Sequence, residues 1–345
     1  MKALVYEGPN KLALKEKEKP KRKNGEVLIK VKACGICGSD VEGYLGKSGR
    51  RIPPMVMGHE FSGEVVETDK ESNFEIGDKV TAYPKLYCGE CKYCEEGLTN
   101  ICPEADFLGA MDKNGAMQEF LSIDEKYVIK AKNSISYIEL SMVEPLAVAY
   151  RATNKVSNKK LKSSNYVLVI GAGTIGLFIL QILKLKGVKN IIVSDLSDYR
   201  LKLAKKLGAS NVINPKNENF NKKISEITDN NLVDYSFEAV GFSSTAAQAL
   251  DALKIGGTSV WVGNAQKMIE MNMQKIVTTE LNIIGNYIYS IEDFNKCLDL
   301  IEEGKIDIDP IISLEKDLSK GKEMFEKLVN DNKNGEIIKI VLTNE

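Results

Sequence analysis

The sequence predicts an α/β protein in which a β-rich first unit precedes a doubly wound parallel sheet. Three observations carry this expectation. A strand–glycine turn–helix–strand unit, "YVLVIGAGTIGLFIL…NIIVSD", opens at Tyr166. Strand and helix patterns keep alternating after it, as in a parallel sheet with crossover helices. Before residue 150 the apolar runs are short, rich in β-branched residues and separated by glycine turns, as in a barrel-like all-β unit.

The 345 residues accommodate two units of ordinary size. Hydrophobic residues make up 43% and charged residues 28%, a globular composition. A net charge of −1 provides no bulk attraction to nucleic acid or an anionic membrane. The dense basic run "KEKEKPKRK" (Lys15–Lys23) alternates with Glu and contains a Pro, so it reads as a solvated strand end and loop. The opening "MKALVYEGPNKL" lacks the apolar stretch of a signal peptide. The longest apolar run, Tyr166–Leu180, is broken by three glycines and is too short to span a bilayer. The expectation is a cytoplasmic chain with reduced thiols and no membrane or nucleic-acid partner. Its seven cysteines then point to metal or catalysis rather than disulfides.

In the first unit, "EVLIKVKA", "EFSGEVVET" and "DKVTAYP" are predicted strands. A composition shift near Ala149–Ser163, with "NKVSNKKLKSSN", marks the boundary. "YVLVI" is a strand, "GAGTIG" a turn with Gly171, Gly173 and Gly176, and "LFILQILKLKG" a helix ending at Gly187. "NIIVSD" is the second strand and closes on Asp195, 19 residues after Gly176. This context turns a weak glycine pattern into a dinucleotide site. Gly171 permits the tight turn, Gly173 the approach of backbone amides to a pyrophosphate, and Gly176 close helix packing. Thr174 and Ile175, inside this turn, are counted with the cofactor-binding residues, and the N-terminus of the following helix stabilises the phosphate charge. Asp195 accepts both ribose hydroxyls of NAD and repels the 2′-phosphate of NADP, so the expected cofactor is NAD. Downstream, "RLKLAKKLGA" is a helix, "NVIN" a short strand and "LVDYSFEAVG" a buried strand. "TAAQALDALKIGG" is predicted as a helix with a glycine stop, with strands following at "TSVWVGN" and "LNIIGNYIYS".

The cysteines fall into three kinds. Cys88, Cys91, Cys94 and Cys102 in "CGECKYCEEGLTNIC" form a compact thiolate set suited to tetrahedral zinc. An iron–sulfur cluster uses similar spacing but suits the surrounding chain less well. Four protein ligands leave no open position, so this zinc is structural. Glu90, Glu95, Glu96 and Glu104 flank the set, which argues against a nucleic-acid-binding zinc ribbon. Cys297, in "DFNKCLDLI", reads as a lone buried thiol on a helix. Cys34 and Cys37, in "KACGICGSDVEG", could be a redox dithiol, half a finger or something else. A redox pair would open a helix in a βαβ unit, whereas this pair follows a strand of the β-rich unit. His59, the only histidine in the chain, stands beside Glu60 in "MGHEFSG". Together with Cys37 it suggests a second zinc site, to which Glu144 in "MVEPLAV" can add a carboxylate. Cys, His and Glu leave one position for water or substrate, as a catalytic zinc requires.

With "GICGSD", "GHEFSG", the four-cysteine lobe, "EPLAVAY", "GAGTIGL", "SDLSDYRLKLAKKLGA" and "FEAVG", the chain resembles the zinc-dependent medium-chain dehydrogenases over essentially its whole length. It looks most like their polyol branch, which includes sorbitol dehydrogenases and galactitol-1-phosphate 5-dehydrogenases. The resemblance implies a GroES-like catalytic zinc domain, residues 1–150 with 286–345, and a Rossmann NAD-binding domain, residues 151–285. It implies two zinc ions per chain, with Cys37 rather than Cys34 as the catalytic ligand. The reaction implied is oxidation of a secondary alcohol of a polyol or polyol phosphate to the ketone by hydride transfer to NAD. Ser39 matches the residue that receives the hydroxyl proton, and Asp40 the carboxylate that orients the ligand histidine. Glu60 and Glu144 match positions that ligate zinc or stand next to it. Arg200 matches a basic residue beside the adenosine. A homodimer or homotetramer is expected, paired along the sheet edge from "WVGN" to "IIGNYIYS".

With His59 committed to metal, no histidine remains as a proton shuttle. Protons must leave through Ser39, the cofactor ribose, carboxylates or water. Two positions depart from the branch. Arg151 stands where many polyol dehydrogenases carry His, and Ile288 where sorbitol dehydrogenases carry Arg. Sorbitol specificity therefore does not carry over directly, and sorbitol, butanediol and threonine dehydrogenases remain rival readings. A non-catalytic NAD-binding protein is a more remote one, against which stands the full set Cys37, Ser39, His59, Glu60 and Glu144. Arg50 and Arg51, two of only five arginines, sit in "GKSGRRIPP" just ahead of His59. With Arg151 they are the expected holders of a substrate anion, such as the phosphate of a polyol.

Overall fold

The β-branched runs of the first unit pair into antiparallel sheets, and the glycine-punctuated runs after Tyr166 pair into a parallel one. These are the features of a computed structural model that describes residues 1–330 and 334–344. In the first unit, Lys11–Glu16, Lys2–Gly8 and Met55–Val56 form a three-stranded sheet. A seven-stranded sheet stands beside it, and its central strand is Glu26–Gly35.

That central strand explains the location of the site. On one side it pairs antiparallel with Glu60–Glu67. Its other side is shared between Phe120–Asp124 and the C-terminal strand Lys339–Thr343. The chain leaving Gly35 toward Cys37 is thus flanked by the strand that starts at Glu60 and by the one that starts at Lys339. Val27, Ile29, Val31, Phe61, Val65, Ile340 and Leu342 bury the apolar face that holds these strands together.

The second unit is a six-stranded sheet, all parallel. Its spatial order is Asn211–Ile213, Ile191–Ser194, Val167–Ile170, Val233–Glu238, Leu253–Trp261 and Asn282–Gly285. The chain order reverses between Val167–Ile170 and Val233–Glu238, and the crevice beyond that reversal is where doubly wound sheets bind ligands. The helix Thr174–Leu185 packs against the helix Val143–Asn154, which carries Glu144. One buried cluster therefore runs from Leu146 and Ala149 through Phe178 and Val169 to Phe294 and Cys297. No described helix is long and apolar enough to cross a membrane.

Two predicted elements are shorter than expected, the first being the strand in "LNIIGNYIYS", which ends at Gly285. The second, the helix in "TAAQALDALKIGG", ends at Asp251, and strand Leu253–Trp261 has begun before the two glycines. Leu253 is buried in the sheet core, whereas Ile255 is exposed where the strand bends at Gly256, φ +72°. Burial of Leu253 outweighs the helical propensity of "ALKI".

The tightest backbone approach is in the glycine turn. A Cβ on Gly176 would lie 1.7 Å from the Gly171 carbonyl oxygen, and Gly171 itself has φ +93°. Gly176→Ala is expected to push the helix Thr174–Leu185 off the sheet. NADH fluorescence enhancement should be lost and the midpoint of thermal unfolding lowered. Wild-type NADH affinity in this variant would refute that account of the turn.

Candidate active site

The nucleotide crevice is built by the turn just described. The helix Thr174–Leu185 has Gly173 as its N-cap and no side chain capping it. Its first-turn amides therefore lack side-chain acceptors, and the N-terminus favours an anion. A Cβ on Gly173 would meet only Arg200 Nη1, 3.9 Å away. The space above the turn is open, and it suits a pyrophosphate. Asp195 closes the strand Ile191–Ser194. Its Oδ2 accepts from the Ala172 amide at 2.7 Å and its Oδ1 from the Ser197 amide at 2.8 Å.

Arg200 has a further job that its sequence position did not reveal. Its Nε donates to the Gly335 carbonyl at 2.8 Å and its Nη2 to the Ile337 carbonyl at 3.1 Å. Thr174 Oγ1 donates to the Ile338 carbonyl at 3.3 Å. Both residues tie the nucleotide fold to the segment that leads into the C-terminal strand. Ile175 is half-buried in the first turn of the helix.

The second cluster forms where the central strand ends. Cys37 is the N-cap of the short helix Gly38–Tyr44, and its amide donates to Asp40 Oδ2 at 3.2 Å. Ligand atoms of Cys37, His59 and Glu60 all lie within 4.8 Å of one another. Gly35 makes this possible, because a Cβ there would stand 2.2 Å from Glu60 Oε2. Gly58 does the same for Cys34, whose sulfur would meet a Gly58 Cβ at 2.6 Å. Cys34 is buried as packing beneath the loop that carries His59. The Phe107 ring meets the imidazole edge-on, with centroids 5.4 Å apart.

Glu144 stands beside the cluster, outside the 4.8 Å group. Its Oε1 accepts from the Tyr289 hydroxyl at 2.6 Å. Burial above all pushes its carboxyl up to about 8, and the nearby Glu60 and Cys37 add to the rise. Burial likewise pushes the Cys37 thiol up to about 11, although Lys339 and the Ser39 hydroxyl pull it down.

Two buried cations hold the acids in place. Lys339 Nζ donates to Glu60 Oε2 at 2.6 Å, to Glu60 Oε1 at 2.8 Å and to the Ile36 carbonyl at 3.1 Å. Arg51 Nη2 donates to Asp40 Oδ1 at 2.8 Å and to Ser39 Oγ at 3.3 Å. Asp40 Oδ1 in turn stands 3.7 Å from His59 Nδ1. Arg51 therefore turns inward, contrary to its expected role at a substrate anion. A fully buried Asp40 demands a cation, and Arg51 supplies it. Arg151 is also engaged, with Nη1 donating to Asp293 Oδ2 at 2.7 Å. Arg50 stays exposed. The sequence reading missed Lys339 and Tyr289. A lone lysine inside the apolar strand "EIIKIVLT" was the available signal for the first.

The donor sets fit metal. His59 Nδ1 is buried toward Asp40, which leaves the imidazole's other nitrogen, Nε2, as the atom to meet a metal beside Cys37 and Glu60. Asp40, Glu60, Glu144 and the Cys37 thiolate would contribute four negative charges, of which Arg51 and Lys339 offset two. Arg51 and Lys339 already balance Asp40 and Glu60, and a divalent cation would balance the two charges gained when Cys37 and Glu144 ionise. In the other set, sulfur–sulfur distances are 3.8 Å for Cys88–Cys94, 3.6 Å for Cys91–Cys94, 3.8 Å for Cys91–Cys102 and 3.6 Å for Cys102–Cys88. Four sulfurs at the usual zinc–sulfur distance of about 2.3 Å would be separated by about 3.8 Å. All four cysteines are free thiols, and the Glu90 amide above all pulls Cys88 down to about 7.

Known proteins share this organisation. Residues 23–133 match the family described as alcohol dehydrogenase GroES-like domain, and residues 174–303 match zinc-binding dehydrogenase. The chain is 33% identical to the D-arabitol-phosphate dehydrogenase of Enterococcus avium, covering 96% of this chain and 95% of that one. It is 31% identical to a sorbitol dehydrogenase of Bacillus subtilis (strain 168), covering 95% and 93%. The crystal structure of galactitol-1-phosphate dehydrogenase from Escherichia coli superposes with a TM-score of 0.90 at 25% identity, covering 100% of both chains.

Replacing Arg51 by Met would leave Asp40 buried and unpaired. Losing one member of a buried pair costs about 3–5 kcal/mol. Arg51→Met is therefore expected to unfold at lower temperature and to give up one zinc ion faster to a chelator, monitored with a chromogenic zinc dye. A variant with wild-type zinc retention would show that Asp40 does not depend on Arg51.

Proposed function

The chain belongs to the zinc-type medium-chain alcohol and polyol dehydrogenase family, and from that premise we propose that it oxidises a secondary alcohol of a polyol or polyol phosphate to the ketone with NAD. The observation that carries this reading is the buried Cys37–His59–Glu60 cluster. It stands at the foot of the same C-terminal strand whose entry is tied to the glycine turn. Two zinc ions per chain are proposed. Cys88, Cys91, Cys94 and Cys102 would hold the structural one, and Cys37 and His59, with Glu60 or Glu144, the catalytic one. When bound, the catalytic ion acts as a Lewis acid that lowers the pKa of the substrate hydroxyl.

The chain's own residues supply the rest. Ser39 Oγ already accepts a bond from Arg51, and it keeps its own proton to donate and a lone pair to receive one. It is the proposed first acceptor of the substrate proton. Asp40 keeps His59 oriented, and Tyr289 holds the Glu144 carboxylate at the pocket wall. Phe107 shields the imidazole from water. Gly171, Gly173, Thr174, Ile175 and Gly176 are the proposed cradle for the cofactor phosphates, with Asp195 on the adenosine ribose and Arg200 beside it. We assign residues 1–150 and 286–345 to the catalytic unit and 151–285 to the nucleotide unit. The free cysteines suit a reducing cytoplasm. The uncovered edge strand Asn282–Gly285, near exposed Met273 and Val277, is the proposed seam of a homodimer or homotetramer.

Two measurements test this. Metal analysis should find two zinc ions per chain. Cys91→Ser should lose one of them along with much of the stability, because such a lobe folds around its metal. NAD⁺ reduction should be seen with polyols or their phosphates and be far slower with NADP⁺. Asp195→Gly should narrow that preference by about tenfold or more, since like charges a few Å apart near a protein surface repel by about 1–4 kcal/mol. Equal kcat/KM for both cofactors in the wild type would overturn the assignment of Asp195.

A further inference from the structure

One cation on the face of this pocket has no partner. Lys85 lies on the strand Lys85–Leu86, which pairs antiparallel with Asp106–Phe107, so that Lys85 stands directly opposite Phe107. Residues directly opposite across such a pair present their side chains on one face. Phe107 packs against His59, so Lys85 is on the face that looks toward the zinc cluster. Its ammonium is 5.9 Å from the centre of the Tyr287 ring, and Tyr287 lies two residues before the tyrosine that holds Glu144. Lys85 is only 8% exposed, yet among the described residues its ammonium has no hydrogen-bond or ion-pair partner. Buried lysines are ordinarily paired, as Lys339 is here.

The surrounding charges leave Lys85 uncompensated. Cys102 belongs to the thiolate lobe, and Asp106 is paired with Lys113 at 3.1 Å. The remaining charged neighbour is Arg50, of the same sign. Burial and Arg50 both pull the Lys85 pKa down, with Cys102 and Asp106 opposing. The Arg50 loop is clamped to the end of the same strand pair. The Met111 amide donates to the Arg50 carbonyl at 2.7 Å, and the Ile52 amide donates to the Met111 carbonyl at 3.0 Å. The Arg50 guanidinium also has no partner among the described residues. Two cations held in one corner repel each other until an anion joins them.

We propose that Lys85, together with Arg50, determines specificity by anchoring a phosphate monoester at the end of the polyol remote from the carbon that is oxidised. The inference rests on the polyol-oxidation reading above, and it replaces Arg51 with Lys85 as the partner of Arg50. A compact ammonium and a planar fork together can satisfy several phosphate oxygens. Binding energy from this remote group helps orient the reacting carbon.

The test compares zinc- and NAD-loaded wild type with Lys85→Met, which keeps the alkyl volume, and Lys85→Arg, which keeps the charge. Each is assayed on a polyol and on its terminal phosphate ester. The ratio of kcat/KM, ester over polyol, should exceed one in the wild type. In Lys85→Met it should fall by about ten- to a hundredfold, mainly through KM, and Lys85→Arg should recover most of it. Calorimetry with glycerol phosphate as probe, on the loaded protein without substrate, should show at least tenfold weaker binding to Lys85→Met. An unchanged ratio, or equal losses on both substrates with unchanged probe affinity, would overturn the proposal and leave Lys85 a packing residue. If the wild type oxidises no polyol or ester, the proposed function falls, and the probe affinities alone decide whether Lys85 holds a phosphate.

Discussion

Charge compensation inside a buried pocket is the constraint on which the rest of this structure depends. Asp40, Glu60 and Glu144 are almost wholly removed from water, and Cys37 must ionise to act as a ligand. Isolated, each would revert to its neutral form. Arg51 and Lys339 are spent on two of the four charges, which explains why both are buried and why neither is available to a substrate. The two charges gained when Cys37 and Glu144 ionise would match a divalent ion. Most features nearby serve this balance. Gly35 and Gly58 make room for a carboxylate and a thiol, and Asp40 caps a helix with one oxygen while meeting Arg51 with the other.

The same balance links the two units. Ile338 and Lys339 are adjacent in the chain. The carbonyl of the first accepts from Thr174 in the glycine turn, and the ammonium of the second holds Glu60. One peptide step therefore connects the glycine turn with the Cys37–His59–Glu60 pocket. Arg200 reinforces the link through Gly335 and Ile337. Hydride transfer needs the nicotinamide and the reacting carbon in contact within narrow limits. A C-terminal strand anchored in both units serves that need.

Much of this was legible along the chain, because the relevant signals are local. The glycine turn, its flanking strand and helix, and Asp195 lie within thirty residues. The four-cysteine lobe spans fifteen, and its spacing gathers four thiolates into one compact metal-binding loop. His59 stood out by being the only histidine. The misread end of the helix before Leu253 shows where local signals fail, since burial of one leucine in a sheet assembled from distant segments overrode propensity.

What the sequence by itself determined was the chemistry on offer: thiolates, one imidazole, carboxylates, and a glycine turn between a strand and a helix, suited to a dinucleotide. The tertiary structure decided which charges are used up. Arg50 and Arg51 are neighbours in sequence, yet one is buried against Asp40 and the other remains exposed. Lys339 is marked in the sequence only by its apolar strand, and Lys85 is not marked at all. The first is neutralised by Glu60, 279 positions away, and the second is left unpaired beside His59's aromatic neighbour. Whether a charge is free depends on which groups from remote segments share its low-dielectric surroundings. A linear pattern carries no record of that.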